Sequence, residues 1–205
     1  MKRSLYHAAS RVLTIFFAVI TQTISAPPAM ANDAKDAQGQ RALRGKYLVH
    51  TSGCMDCHTP FKMGEKGPEF DLSRLLSGHP QMLKMPPAPT LPEGPWLVVS
   101  SATNTAFSGP WGVSFTANLT PDPDTGLGRW TERDLIATIR TGRHMGRGRE
   151  ILPPMPIPVY SNFTDADLGA IFAYLQTIPA IKNRVPEPRP PVGAGDRARS
   201  TRAGK

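Results

Sequence analysis

Cys54-Met55-Asp56-Cys57-His58 sets two thiols two residues apart and an imidazole directly after the second. Thiols at this spacing can bond to the two vinyl groups along one edge of a porphyrin. The next residue then falls beneath the iron, where imidazole nitrogen is a good axial ligand. The motif therefore predicts a haem c bound covalently through Cys54 and Cys57, with His58 on the iron. Two other chemistries use paired cysteines. A thioredoxin-like dithiol needs a βαβ setting that this sequence lacks. A zinc site needs a second ligand pair, and none is evident beside the adjacent Cys57 and His58. The chain holds only these two cysteines, so one motif means one haem.

A second axial ligand must come from elsewhere in the chain. Met155 is the leading candidate. It stands in Leu152-Pro153-Pro154-Met155-Pro156-Ile157-Pro158, just ahead of the last helix. Prolines fix φ and stiffen this loop, and a stiff loop loses less entropy when a weak thioether donor binds. Met55 lies inside the attachment loop and cannot reach the opposite face. Met82, Met85 and Met145 remain as alternatives, the last in a Gly/Arg-rich stretch that looks solvated, and His79 and His144 are the imidazole alternatives. A lone methionine is otherwise a core filler.

Three helices must position these groups. The first is expected over 36–50, with Leu43, Tyr47 and Leu48 at helical spacing and Gly45 inside. A glycine there costs about 1 kcal/mol relative to alanine, which makes sense if another helix crosses closely. The second is expected over 132–141, with Thr131 as N-cap, Asp134 completing a capping box and Gly142 closing it. The third is expected over 165–177, where Thr164 and Asp167 repeat the cap and Leu168, Ile171, Phe172 and Leu175 form one stripe. Residues 61–115 are rich in Pro and Gly. They read as a long irregular insertion with, at most, a short strand at Val98-Val99 and no sheet.

Residues 1–31 read as an export leader. Lys2, Arg3 and Arg11 precede the apolar run Val12–Ile20, and Ala29-Met30-Ala31 is a small-x-small site with cleavage expected after Ala31. The run is about half the ~20 residues needed to cross a bilayer. Export agrees with covalent haem attachment, which belongs outside the bacterial cytoplasm, so a periplasmic location is expected. The formal charge of +8 sits in this leader and in a basic tail, 182–205. Residues 32–181, the expected single domain, balance near zero, which gives a nucleic-acid role little support. The tail is expected to be disordered from about Val185, being rich in Pro, Gly and Arg with almost no large apolar residues.

Taken together, these parts resemble a monohaem class I cytochrome c. The closest resemblance is to the cytochrome c modules of proteobacterial periplasmic alcohol and aldehyde dehydrogenase cytochrome subunits. It rests on Gly45-Lys46-Tyr47-Leu48 before the haem motif, Asn118-Leu119-Thr120-Pro121-Asp122, Gly126-Leu127-Gly128-Arg129-Trp130-Thr131, Pro154-Met155-Pro156, and Thr164–Leu168 with Ala173-Tyr174-Leu175. The resemblance implies an all-α class I cytochrome c fold, with three or more helices around one haem. It implies His58 as proximal and Met155 as distal ligand. It puts Gly45 where the first and last helices cross, against Tyr174 or Phe172. It implies that a carbonyl near Gly67-Pro68, or Pro60, accepts the His58 N–H, and that Asn118 and Trp130 lie near the haem edge or propionates.

The expected function is one-electron transfer rather than catalysis, since His/Met ligation leaves no open iron site. The partners implied are a periplasmic dehydrogenase, a terminal oxidase or a bc1-type complex, with membrane contact through a partner or the basic tail. An open-iron haem enzyme or gas sensor, and a docking subunit of a dehydrogenase or oxidase, are the competing readings.

Overall fold

Thr131 accepts the backbone N–H of Asp134, and Asp134 returns the bond to the Thr131 N–H, so a capping box starts the central helix. That helix, Glu132–Thr141, ends at Gly142 with φ 64°, and both ends fall where the sequence predicts. The structure, a computed structural model, describes residues 28–89 and 91–191. The expected leader through residue 27 and the tail beyond residue 191 lie outside the described residues.

In chain order the elements are α1 (Pro28–Thr51), α2 (Cys54–His58), β1 (Phe61–Gly64), β2 (Gly67–Phe70), β3 (Val99–Ser100), β4 (Ala106–Gly109), β5 (Gly112–Phe115), α3 (Glu132–Thr141), α4 (Ile157–Tyr160) and α5 (Asp165–Leu175). Short 3-10 turns cover Leu72–Arg74 and His144–Gly146. The first helix begins earlier than expected, and α2 and α4 are additional. No helix among the described residues is long and apolar enough to cross a membrane.

The all-α expectation is wrong. Beside five helices, the described residues form two antiparallel sheets, β1-β2 and β3-β4-β5, so the architecture is mixed α/β. Both hairpins are tight: Gly64 pairs with Gly67, and Gly109 with Gly112. Gly67 and Gly112 have φ of 116° and 95°, which only glycine adopts freely. The glycines at the two ends of the expected insertion are therefore hairpin-turn chemistry, while its proline-rich middle, 75–89 and 91–98, is irregular as expected. Strands of four residues place only two side chains on each face, too few for a readable alternation.

The apolar core lies where α1 packs on α5. Leu48 and Val49 meet Leu168, Ile171, Tyr174 and Leu175, with Leu135 and Ile139 of α3 on the flank. Gly45 sits at the crossing, against the Ala170 backbone and Tyr174 Cβ.

The first part of the expected tail is packed on this domain. Asn183 is fully buried. Its amide N–H groups donate to the carbonyls of Ser77 and His79 at 2.6 and 2.9 Å. Its Oδ1 accepts from Arg74 and from the Gln81 N–H. Further on, Arg189 exchanges both backbone hydrogen bonds with Val113, at 2.8 and 2.9 Å, and so covers the outer edge of β5. Order therefore continues past Val185, carried by one side-chain amide and one backbone pairing.

His79 is also fully buried. Its Nε2 donates to the Leu83 carbonyl at 3.1 Å, so its Nδ1 accepts from the Thr105 hydroxyl at 2.9 Å. The neutral ring is thus satisfied, and burial holds its pKa below the ordinary imidazole value. The unfolded chain takes up this proton near pH 6.5; the folded chain resists until lower pH. The stabilisation is complete above the unfolded value and fades as pH falls. The expected result is a denaturant midpoint that drops between pH 7 and pH 5, and drops less in His79→Gln. Parallel pH profiles for the two proteins would contradict it.

Candidate functional site

α1 ends at Thr51, and Gly53, with φ 74°, turns the chain directly into α2. That left-handed turn starts the five-residue helix Cys54–His58, which carries both cysteines and the histidine. His58 is buried, and its Nδ1 lies 2.8 Å from the Ala117 carbonyl. A carbonyl only accepts, so Nδ1 carries the proton and Nε2 keeps its lone pair. Burial lowers the His58 pKa against the opposing pull of that carbonyl, which favours the neutral ring that ligation requires.

The acceptor is not Gly67-Pro68 or Pro60, as the resemblance suggested. The Pro60 carbonyl instead takes the Asp71 N–H at 2.8 Å. The Ala117 carbonyl is fixed by backbone bonds between two neighbouring segments: His79 N–H to Thr116 O at 3.0 Å and Leu119 N–H to Leu76 O at 2.9 Å. Gly78 lies between them with φ 73°, and a Cβ there would meet Ala117 O at 2.6 Å. Gly78 N–H also donates to the His58 carbonyl at 2.8 Å. The proximal side thus depends on a glycine that lets two backbones touch. No side-chain motif advertises this arrangement.

Cys54, Cys57, His58 and Met155 all line one cavity of about 560 Å³, within the ordinary ~300–1,000 Å³ of cofactor clefts. Its walls are largely apolar and draw on α2, β5, α3, α4 and α5. Leu127, Leu135, Ile139, Leu168, Ile171 and Leu175 supply core surface to it. A hollow of about 740 Å³ lies elsewhere, on the exposed β1-β2 hairpin, and is lined by Met63, Gly64, Glu65, Lys66 and Glu69, with no cysteine or histidine.

Burial, followed by the nearby Asp56 carboxylate, raises both thiol pKa values; Cys54 is pushed up to about 11. Both thiols are therefore protonated at neutral pH. That opposes a dithiol redox centre, which needs a stabilised thiolate. Among the described residues, no group of three or more His, Cys, Asp or Glu side chains is arranged to hold a metal ion. The donors in the cavity instead fit a covalent haem: two thiols two residues apart on one short helix, one neutral imidazole whose Nδ1 carries the proton, a thioether, and a largely apolar enclosure.

The alternatives for the second ligand fall into two groups, those away from the cavity and those on its wall. Met82, Met85 and His79 do not line the cavity, and both ring nitrogens of His79 are engaged. Met145 and His144 do line it, so Met145 is not simply solvated as its sequence suggested. His144 packs edge-on against Trp130 with centroids 5.0 Å apart. Asn118 and Trp130 both reach the cavity wall. The Asn118 side chain is already occupied: it donates to the Ile181 carbonyl at 2.8 Å and accepts from Thr120. It anchors the C-terminal segment rather than presenting a free donor.

The loop bearing Met155 is held from two sides. The Ser114 hydroxyl on β5 donates to the Pro153 carbonyl at 2.6 Å. Arg140 on α3 reaches the Ser161 and Phe163 carbonyls and Asp165 beyond α4. The small sheet inside the supposed irregular insertion is thus part of the frame around the candidate ligands.

Similarities to known proteins agree with this site. The chain is 26% identical over 160 residues to the cytochrome c subunit of alcohol dehydrogenase (quinone) from Gluconobacter oxydans, covering 77% of this chain and 26% of that protein. It is 33% identical over 149 residues to a diheme cytochrome c-type protein of Cereibacter sphaeroides, covering 72% and 39%. It is 25% identical over 151 residues to the fructose dehydrogenase cytochrome subunit of Gluconobacter japonicus, covering 71% and 24%. The chain thus spans well under half the length of each of these relatives. No protein-family model matches it. The similarities support the cytochrome c family for this chain, with haem c as the implied cofactor.

Proposed function

We propose that this protein is a periplasmic one-electron carrier, holding one haem c through Cys54 and Cys57 with His58 and Met155 as axial ligands. The observation that carries the reading is the meeting of the attachment motif and Met155 on the wall of one apolar cavity. When bound, the haem supplies a reversible one-electron iron couple. The chain's own residues do the rest. Ala117 holds the His58 tautomer and ring orientation through a hydrogen bond that also raises ligand basicity. Leu135, Ile139 and Leu168 keep water from the site, which lowers the local dielectric and so tunes the potential. Ser114 restrains the loop that carries Met155.

Two of these relatives, of alcohol and fructose dehydrogenases, are named as cytochrome subunits, which supports a dehydrogenase as the donor and a carrier rather than a catalytic role for this chain. The periplasmic location rests on the composition of residues 1–31. Redox titration of the purified holoprotein tests the proposal. A single reversible n = 1 transition is expected, and carbon monoxide should leave the reduced spectrum unchanged. Rapid binding of carbon monoxide to the reduced wild type would favour an open-iron protein instead.

A further inference from the structure

Tyr160 closes α4, the four-residue helix that begins two residues after Met155. Its hydroxyl donates to the Ser52 carbonyl at 2.5 Å, although the two residues are 108 positions apart. Ser52 sits at the end of α1, where its N–H still bonds to Leu48 O at 2.9 Å, and it leads through Gly53 into Cys54. The Tyr160 ring lines the cavity and stacks on Phe163 at 5.7 Å and 28°. Between Met155 and Tyr160 the backbone is tightly wound: Ile157 N–H bonds to Met155 O at 2.9 Å, and Tyr160 N–H to Pro156 O at 3.0 Å. A movement of Met155 away from the cavity would therefore drag Tyr160 with it. Burial, the largest cause, pushes the phenol up to about 12, so the hydroxyl keeps its proton and remains a donor at any physiological pH.

We propose that Tyr160 is a positioning residue for Met155, its hydroxyl latching the methionine loop onto the turn that carries Cys54. This rests on Met155 being an iron ligand. The latch stabilises the closed loop over an open one in which the sixth position is free to other ligands. Losing one hydrogen bond that exists only in the closed state shifts that balance.

The test is imidazole titration of the oxidised holoprotein, comparing wild type, Tyr160→Phe and Tyr174→Phe. The last is a control that removes another long-range hydroxyl contact, Tyr174 to His50 Nε2 at 3.2 Å, away from the methionine loop. Tyr160→Phe should keep its covalent haem and its methionine-to-iron charge-transfer band, yet bind imidazole about five- to tenfold more tightly, the size of one net hydrogen bond. Tyr174→Phe should bind imidazole as the wild type does. Equal affinity in Tyr160→Phe and wild type would overturn the latch. So would equal tightening in both variants, which would indicate general loosening. Loss of covalent haem in Tyr160→Phe would also overturn it, since the hydroxyl would then serve attachment. A wild type with no methionine-to-iron band would instead remove the ligand assignment itself, and the latch with it.

Discussion

Met155→Ala is expected to keep its covalent haem while losing the methionine-to-iron band, and to bind carbon monoxide when reduced. The attachment chemistry lies on α2, which the substitution does not touch. The loop backbone is held by Ser114 at Pro153 and by Tyr160 at Ser52, so the fold should persist around the missing side chain. Thioether ligation favours the reduced iron, and its loss should lower the potential. A fall on the order of 100 mV is a modest part of the roughly 0.8 V that axial ligands command. Spectroelectrochemistry of the variant reads both effects together. Met145→Ala is the decisive comparison, because Met145 shares the cavity wall. If Met145→Ala opens the iron and Met155→Ala does not, the ligand assignment is wrong.

Gly45→Ala should be the most damaging small substitution in the helical core. Alanine normally improves a helix interior by about 1 kcal/mol over glycine. At Gly45 the added Cβ would run into the Ala170 carbonyl and approach Tyr174 Cβ to 2.9 Å. Two backbone segments cannot move aside as a flexible side chain can, so α1 must shift off α5. Overpacking of this kind costs about 1–3 kcal/mol. The melting temperature of the holoprotein should fall by several degrees, at roughly 2–4 °C per kcal/mol for a domain this size. Gly39→Ala, on the same helix with nothing within 4 Å, should be neutral or slightly stabilising. Equal melting temperatures for the two variants would show that α1 and α5 are not held this closely.

What the sequence disclosed, and what it hid, follows from how local each signal is. Cys54, Cys57 and His58 are readable because their chemistry depends on spacing within five residues. α3 and α5 are readable because Thr131 with Asp134, and Thr164 with Asp167, cap them within one turn. Met155 was marked by its flanking prolines, and Gly45 by its place inside a helix. A short strand was readable near Val99, but β4 and β5 of its sheet and the β1-β2 pair escaped because four-residue strands place too few side chains on a face to show a period. The His58 acceptor escaped because it is the backbone carbonyl of Ala117, which no residue type announces. The packed run to Pro191 escaped because its Pro/Arg composition outweighs one buried amide, that of Asn183. The Tyr160–Ser52 contact joins residues more than a hundred positions apart, and pattern within a window cannot find such a pair. The His58, Asn183 and Tyr160 contacts share one property: each joins residues distant in sequence and has a backbone carbonyl or N–H as one partner.

Intact-mass measurement of the protein, denatured in acidified organic solvent after production with c-type haem maturation, tests the central claim most directly. The account predicts one polypeptide carrying the mass of a single haem, reduced to bare polypeptide when Cys54 and Cys57 are both replaced by serine. Wild-type polypeptide free of haem under these conditions, or carrying two haems, would contradict it.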